Sequence, residues 1–207
     1  MAGICGVLLL GLSFAINTGP PPGASDTQLL EFAQRNYAQV LWGAWLQAVG
    51  PALIVLFAFS LVHMAGAESR VSGWMTFFGA TCLMTVSLIE ITFYIGALHP
   101  RPPAMGAMSL GFISAVQHLY FVIAAPAVFL PLGMVLRGSE VLPKLFGYAA
   151  IALAILFFSF GAIYMTTLTL PDPVTALGAV QALWWLAAAV ALILRTIQVR
   201  APAALDR

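Results

Sequence analysis

From Val40 to Ala65 the chain carries no Asp, Glu, Lys or Arg, and apolar runs of this kind recur almost to its end. Such a run exceeds the ~20 helical residues that cross the hydrocarbon core of a bilayer. In lipid only helices and closed barrels satisfy every backbone N–H and C=O. Barrel strands would alternate apolar and polar residues over about ten positions, and these runs do not alternate. The sequence therefore predicts an all-α, polytopic membrane helix bundle.

Composition narrows the function classes. With 62% hydrophobic and 7% charged residues among 207, a soluble globular domain is excluded. A formal charge of +1 with no basic stripe leaves nothing to neutralise a phosphate backbone, so no nucleic acid is expected as a partner. Cys5 and Cys82 lie in separate apolar runs and form no CxxC pair, so neither a zinc site nor dithiol chemistry is implied.

Six spans are read along one integral-membrane domain covering 1–207, at about 4–16, 40–65, 74–98, 107–136, 145–168 and 175–194. The first is the shortest. No Lys or Arg precedes it and no clear small-x-small cleavage site follows it, which favours a transmembrane helix over a signal peptide. Residues 17–39 form an outer loop. Within it Ser25 and Gln28 are spaced as a capping box, and Leu29, Phe32, Ala33 and Tyr37 share one helical face. Either a short interfacial helix or the outer end of a long second helix fits that pattern. Trp42 and Trp45 sit where amphipathic rings favour the membrane interface. Pro51 cannot donate to the carbonyl of Gln47, so a kink with a free Gln47 oxygen is expected.

Basic residues set the orientation. The turns after spans two and four and the tail hold Arg70, Arg137, Lys144, Arg195, Arg200 and Arg207, whereas the opposite side holds Arg35 and Arg101. Both termini are therefore expected in the cytoplasm.

The chemistry lies in a polar layer in the outer half. Glu90 comes nine positions before His99, and His118 eleven after Ala107, which puts both roughly 13 to 17 Å from the outer surface. Gln47 and Gln181 come out at a similar depth. Ser87, Glu90 and Tyr94 share one face of span three; Ala107, Gly111, Ser114, His118 and Ala125 form a narrow stripe on span four; Gln181, Trp184, Trp185 and Ala188 line up on span six. An ionisable residue inside a span is by default a functional hypothesis. The expected site is a pocket floored by Glu90, Gln47 and His118 and walled by Tyr94, Phe121 and Trp184, with Gln181 as a further ligand contact. Glu90 and His118, in direct contact, are its candidate catalytic acid and base.

Several chemistries drop out. Glu90 is the only intramembrane acid, so a carboxylate-rich metal site fails. His63 and His118 lie at different depths, which disfavours a bis-histidine haem, and Lys144 at a helix end cannot serve a retinal; no cofactor is expected. A hydrolase using a hydroxyl beside His118 stays open, with Ser87, Thr92 or Ser114 as nucleophile.

The segments Ala115-Val116-Gln117-His118-Leu119-Tyr120-Phe121 and Gln181-Ala182-Leu183-Trp184-Trp185-Leu186 resemble a pattern in uncharacterised six-span bacterial inner-membrane proteins grouped as domains of unknown function. The resemblance covers spans two to six. It implies a multi-pass protein of the bacterial inner membrane and brings no activity with it. The expected partners are the lipid bilayer and a lipophilic small molecule bound or acted upon in the outer half. Two rivals stand beside that reading: a proton-coupled transporter, which needs a water path from Glu90 to both faces, and an accessory subunit within an oligomer or larger membrane complex. In a third, purely structural role, Glu90 and His118 form a pair that fixes helix register.

Overall fold

The computed structural model describes residues 1–17, 25–98, 103–165 and 172–200, and all regular structure among them is helical. His99, Arg101 and Arg207, the loop at 18–24 and the expected end of span five past 165 lie outside the described residues. The helices are α1 (Ala2–Ile16), α2 (Asp26–Arg35), α3 (Tyr37–Met64), α4 (Val71–Leu98), α5 (Pro103–Leu119), a π-helical turn (Tyr120–Ala124), α6 (Ala125–Arg137), α7 (Lys144–Tyr164) and α8 (Asp172–Arg200). Five segments are long and apolar enough to cross a membrane: Tyr37–Met64, Val71–Leu98, Met108–Arg137, Lys144–Ile163 and Ala176–Gln198. They match spans two to six of the sequence reading. The 15 residues of α1 reach only about 22 Å, against a hydrocarbon core of about 30 Å.

Local chemistry explains where the helices stop and start. At the N-terminus of α2, Ser25 accepts from the N–H of Gln28 while the Gln28 side chain accepts from the N–H of Ser25, the reciprocal capping box its spacing predicts. A break at Asn36 separates α2 from α3, so the segment before span two is a helix of its own. The other end of α3 closes through Gly66 at φ +57°: the N–H of Gly66 bonds to the carbonyl of His63 and that of Ala67 to the carbonyl of Val62. This double closure needs a left-handed residue after the last helical turn. No atom lies within 4 Å of a Cβ placed there, so strain is the whole effect of Gly66→Ala. The expected cost is about 1 kcal/mol, read as a fall in thermal midpoint in detergent. In the same turn Glu68 pairs with His63. A backbone hydrogen bond, then the bond from His63, holds the Glu68 carboxyl below its ordinary 4.5.

The fourth span changes pitch midway. Pro126 has no N–H to offer the carbonyl of Val122, and the chain responds with a π turn in which the N–H of Ala125 reaches back to the carbonyl of Tyr120.

Close backbone approaches hold the bundle together. A Cβ on Gly6 would lie 2.9 Å from the carbonyl oxygen of Gly50, and one on Gly50 would lie 2.9 Å from the amide nitrogen of Leu10, so α1 and α3 cross backbone to backbone. Ser13 on α1, fully buried, adds a hydrogen bond to the carbonyl of Gly43 at 2.8 Å. Gly133 on α6 and Gly147 on α7 face each other in the same way. The tightest crossing joins α4 to α6, where a Cβ on Gly79 would lie 2.0 Å from the carbonyl oxygen of Ala127. That oxygen is free to be approached because Pro131, four residues on, has no N–H to give it. Lipid supplies no hydrophobic drive between helices, so small residues that bring backbones together carry the association.

The apolar core lies towards the end of the bundle that holds the α3–α4 and α6–α7 turns. Leu61, Phe129, Leu132, Leu136, Phe157 and Trp185 are all fully buried there or on the way to it. Arg70 approaches Gly138 at this end, and Arg195 donates to the carbonyl of Glu140. Large apolar side chains face outward, Trp42 and Trp45 near the start of α3 and Trp74 near the start of α4, as a lipid-facing surface requires.

Candidate functional site

In the less densely packed half, three helices meet through polar side chains. Glu90 on α4 is 8% exposed, and its two carboxylate oxygens are shared between two amides: Gln47 Nε2 on α3 donates to Oε2 at 2.6 Å, and Gln117 Nε2 on α5 donates to Oε1 at 2.9 Å. One turn earlier on α4, the hydroxyl of buried Ser87 donates to the backbone carbonyl of Gln47 at 2.9 Å. This is the oxygen that Pro51 leaves without its helical partner. The kink thus provides a docking point for α4 and sets Gln47 opposite Glu90.

Ser87→Ala leaves that oxygen buried without a donor and is expected to cost about 1 kcal/mol. Pro51→Ala restores a backbone N–H to the same oxygen. In a double-mutant cycle the cost of Ser87→Ala is therefore expected to shrink in the Pro51→Ala background; strict additivity of the thermal shifts would show that Ser87 acts elsewhere.

The helical repeat accounts for the difference from the expected Glu90–His118 contact. Successive residues stand 100° apart around a helix. With Gln117 turned to the acid, position 118 falls on the neighbouring face, and no hydrogen bond or ion pair between Glu90 and His118 occurs among the described residues. No Lys or Arg pairs with Glu90 among them either. The carboxyl therefore meets neutral amides, with Tyr94, half-buried, one turn along its own helix.

The remaining residues singled out in the sequence fall into a second group. Gln181 on α8 accepts from the hydroxyl of Tyr120, in the π turn, at 2.6 Å. Phe121 stacks on Phe157 at 5.7 Å between centroids and meets Tyr120 edge-on. Trp184 sits deeper among aromatics, edge-on to Phe129 and to Trp185, and its indole N–H donates to the carbonyl of Phe146 at 3.1 Å. Next to it the buried indole N–H of Trp185 has no partner among the described residues. Gln47 and Glu90 are thus brought together, Tyr94 lies beside them, and Gln181, Phe121 and Trp184 surround the π turn and the core below it.

Gln117 and Tyr120 are the two bonding residues that the sequence reading left outside the site. A third amide at the depth of Glu90 is the signal for Gln117; for Tyr120 it is a phenol two residues before Val122, whose carbonyl loses its helical partner at Pro126. No group of metal-ligating side chains forms among the described residues. Elsewhere on α5, no described atom lies within 4 Å of a Cβ on Gly111, and Ala115, one turn on, is exposed.

Helix lengths, apolar surface and the buried polar network together give the make-up of a multi-pass membrane protein. Comparison with protein-family models, with curated proteins and with solved structures returns no match for this chain.

Proposed function

We propose that this chain is a single-domain bacterial inner-membrane protein with six membrane-embedded helices and cytoplasmic termini that binds a lipophilic small molecule at its outer-half polar layer. The observation that carries the reading is the convergence of Gln47, Glu90 and Gln117 from three helices. A buried acid is expensive in an apolar layer and is most often found where a ligand or ion uses it. Glycine-lined packing of α1 on α3 supports counting α1 as a sixth helix. The shared position of Arg70 and Arg195 at the opposite end supports the positive-inside orientation.

Within this reading Glu90 and Gln47 anchor the ligand's polar group, Tyr94 and Phe121 flank its apolar body, and His118, seven residues from Gly111 and so on the same face, borders the opening. Gln181 holds the π turn through Tyr120, and Trp184 packs in the core below it. Binding is proposed rather than acid–base catalysis, because both oxygens of Glu90 face amide donors.

Native mass spectrometry with lipid extraction tests the proposal on wild type beside His118→Ala. A reproducible co-purifying lipophile that the variant loses is the expected result, whereas bulk lipid alone on both proteins overturns it. The closed bonding of Glu90 favours one second reading, a clamp that fixes the register of α3, α4 and α5. A clamp predicts that no ligand is retained by either protein.

A further inference from the structure

Among the described residues the Glu90 carboxyl meets two amide donors and no ion-pairing cation. Gln47 and Gln117 occupy one oxygen each, and no cation forms an ion pair with it among the described residues. Two oxygens hold about four lone-pair sites between them, so each keeps room for a further donor. Tyr94 stands one turn along α4 from Glu90, on the same helical face, and Tyr120, with Phe121 edge-on to it, begins the π turn that follows α5.

An acid with free lone pairs, an aromatic residue one turn along its helix and no ion pair among the described residues favours one ligand chemistry. A neutral lipophile would leave the charge unmatched, and an anion would be repelled. A cation with an apolar body satisfies both: its ammonium takes the remaining lone pairs of Glu90, and aromatic faces attract positive charge within about 6 Å. We infer that the ligand of this site is a lipophilic cation, an amine protonated at neutral pH or a quaternary ammonium carrying an apolar body, with Glu90 as its counter-ion. This inference rests on the proposed binding function and specifies its ligand.

Gln47 and Gln117 are positioning residues in this arrangement. Their amides hold the carboxyl in place, and Ser87 fixes the Gln47 backbone in turn.

The test uses three compounds with one apolar body and different heads: adamantylamine, adamantanol and adamantane carboxylate, titrated onto the full-length protein in a non-ionic detergent at neutral pH. Wild type is expected to bind the amine at least about tenfold more tightly than the alcohol, with the carboxylate weakest. Glu90→Gln, which keeps the shape of the site and, with one neighbouring amide turned over, its hydrogen bonds, is expected to bring amine and alcohol to about equal affinity without moving the thermal midpoint. Equal binding of amine and alcohol by wild type would overturn the cation inference and leave the lipophile site standing. Should the folded protein bind none of the three, the binding function and the inference fall together. An amine preference that survives in Glu90→Gln would also overturn the assignment, since the counter-ion would then lie elsewhere.

Discussion

Gly79→Ala is expected to be the most damaging single methyl that can be added to this protein. The new Cβ would lie 2.0 Å from the carbonyl oxygen of Ala127, 2.2 Å from its carbon and 2.5 Å from the amide nitrogen of Val128. All three are backbone atoms of α6, so no rotamer can make room; α4 must move away from α6 as a body. Overpacking a well-packed site costs about 1–3 kcal/mol and occasionally more, and this contact belongs at the upper end. Gly11→Ala and Gly111→Ala provide the controls, because nothing lies within 4 Å of either added methyl. They are expected to leave the thermal midpoint in detergent unchanged or raised, alanine being the better helix former by about 1 kcal/mol. If all three variants behave alike, the α4–α6 crossing is not where the structure puts it.

Glu90→Leu has the second-largest expected effect, and it separates the acid's structural part from its binding part. Leucine accepts nothing, so the buried amides of Gln47 and Gln117 both lose their partner. At about 1–3 kcal/mol for each unsatisfied group, moderated because polar groups in a membrane often find substitutes, a loss of roughly 2–4 kcal/mol is expected. The matched triple replacement Glu90→Leu, Gln47→Leu and Gln117→Leu removes donors and acceptor together and should recover most of it. Glu90→Gln should unfold like wild type, because Gln47 or Gln117 can turn its amide over so that its oxygen accepts from the new NH2. A thermal-shift series in one detergent measures all three. A triple variant as unstable as Glu90→Leu would show that shape, rather than hydrogen bonding, makes position 90 sensitive.

These expectations show which parts of the structure were legible in the sequence. Spans two to six follow from apolar runs whose ends are marked by polar turns, and the structure places its long helices there. The capping box at Ser25 and Gln28 was readable because its chemistry is local. So was the Gln47 carbonyl freed by Pro51, although the identity of its new donor was not: Ser87 is recognisable as a neighbour of Glu90 on α4, but only the packing of α4 on α3 brings it to that oxygen. Depth along a helix could be counted, and Glu90 does sit with Gln47 at one level. Rotation about the helix axis could not be counted as safely. A stripe of small residues pointed His118 inward, whereas the packing of α5 against α4 presents Gln117 to the acid. One residue of error in facing is 100° of rotation, enough to exchange an imidazole for an amide. The glycine crossings were equally hidden. Gly79 and Gly111 look alike in the sequence, yet one touches a neighbouring backbone and the other touches nothing.

The π turn has a meaning for how such a protein can change. A wide turn holds one more residue than an α turn does, so it acts as an insertion that the helix has absorbed without breaking. It offsets the facing of α5 from that of α6 by most of a residue step. The half of this span that bears Gly111, Gln117 and His118 is thereby released from the periodicity of the half that packs Phe129, Leu132 and Leu136 into the core. Substitutions before Tyr120 can then alter what the outer half recognises without re-registering the inner half. The span behaves as two segments joined in series, one free to diversify and one bound to the scaffold.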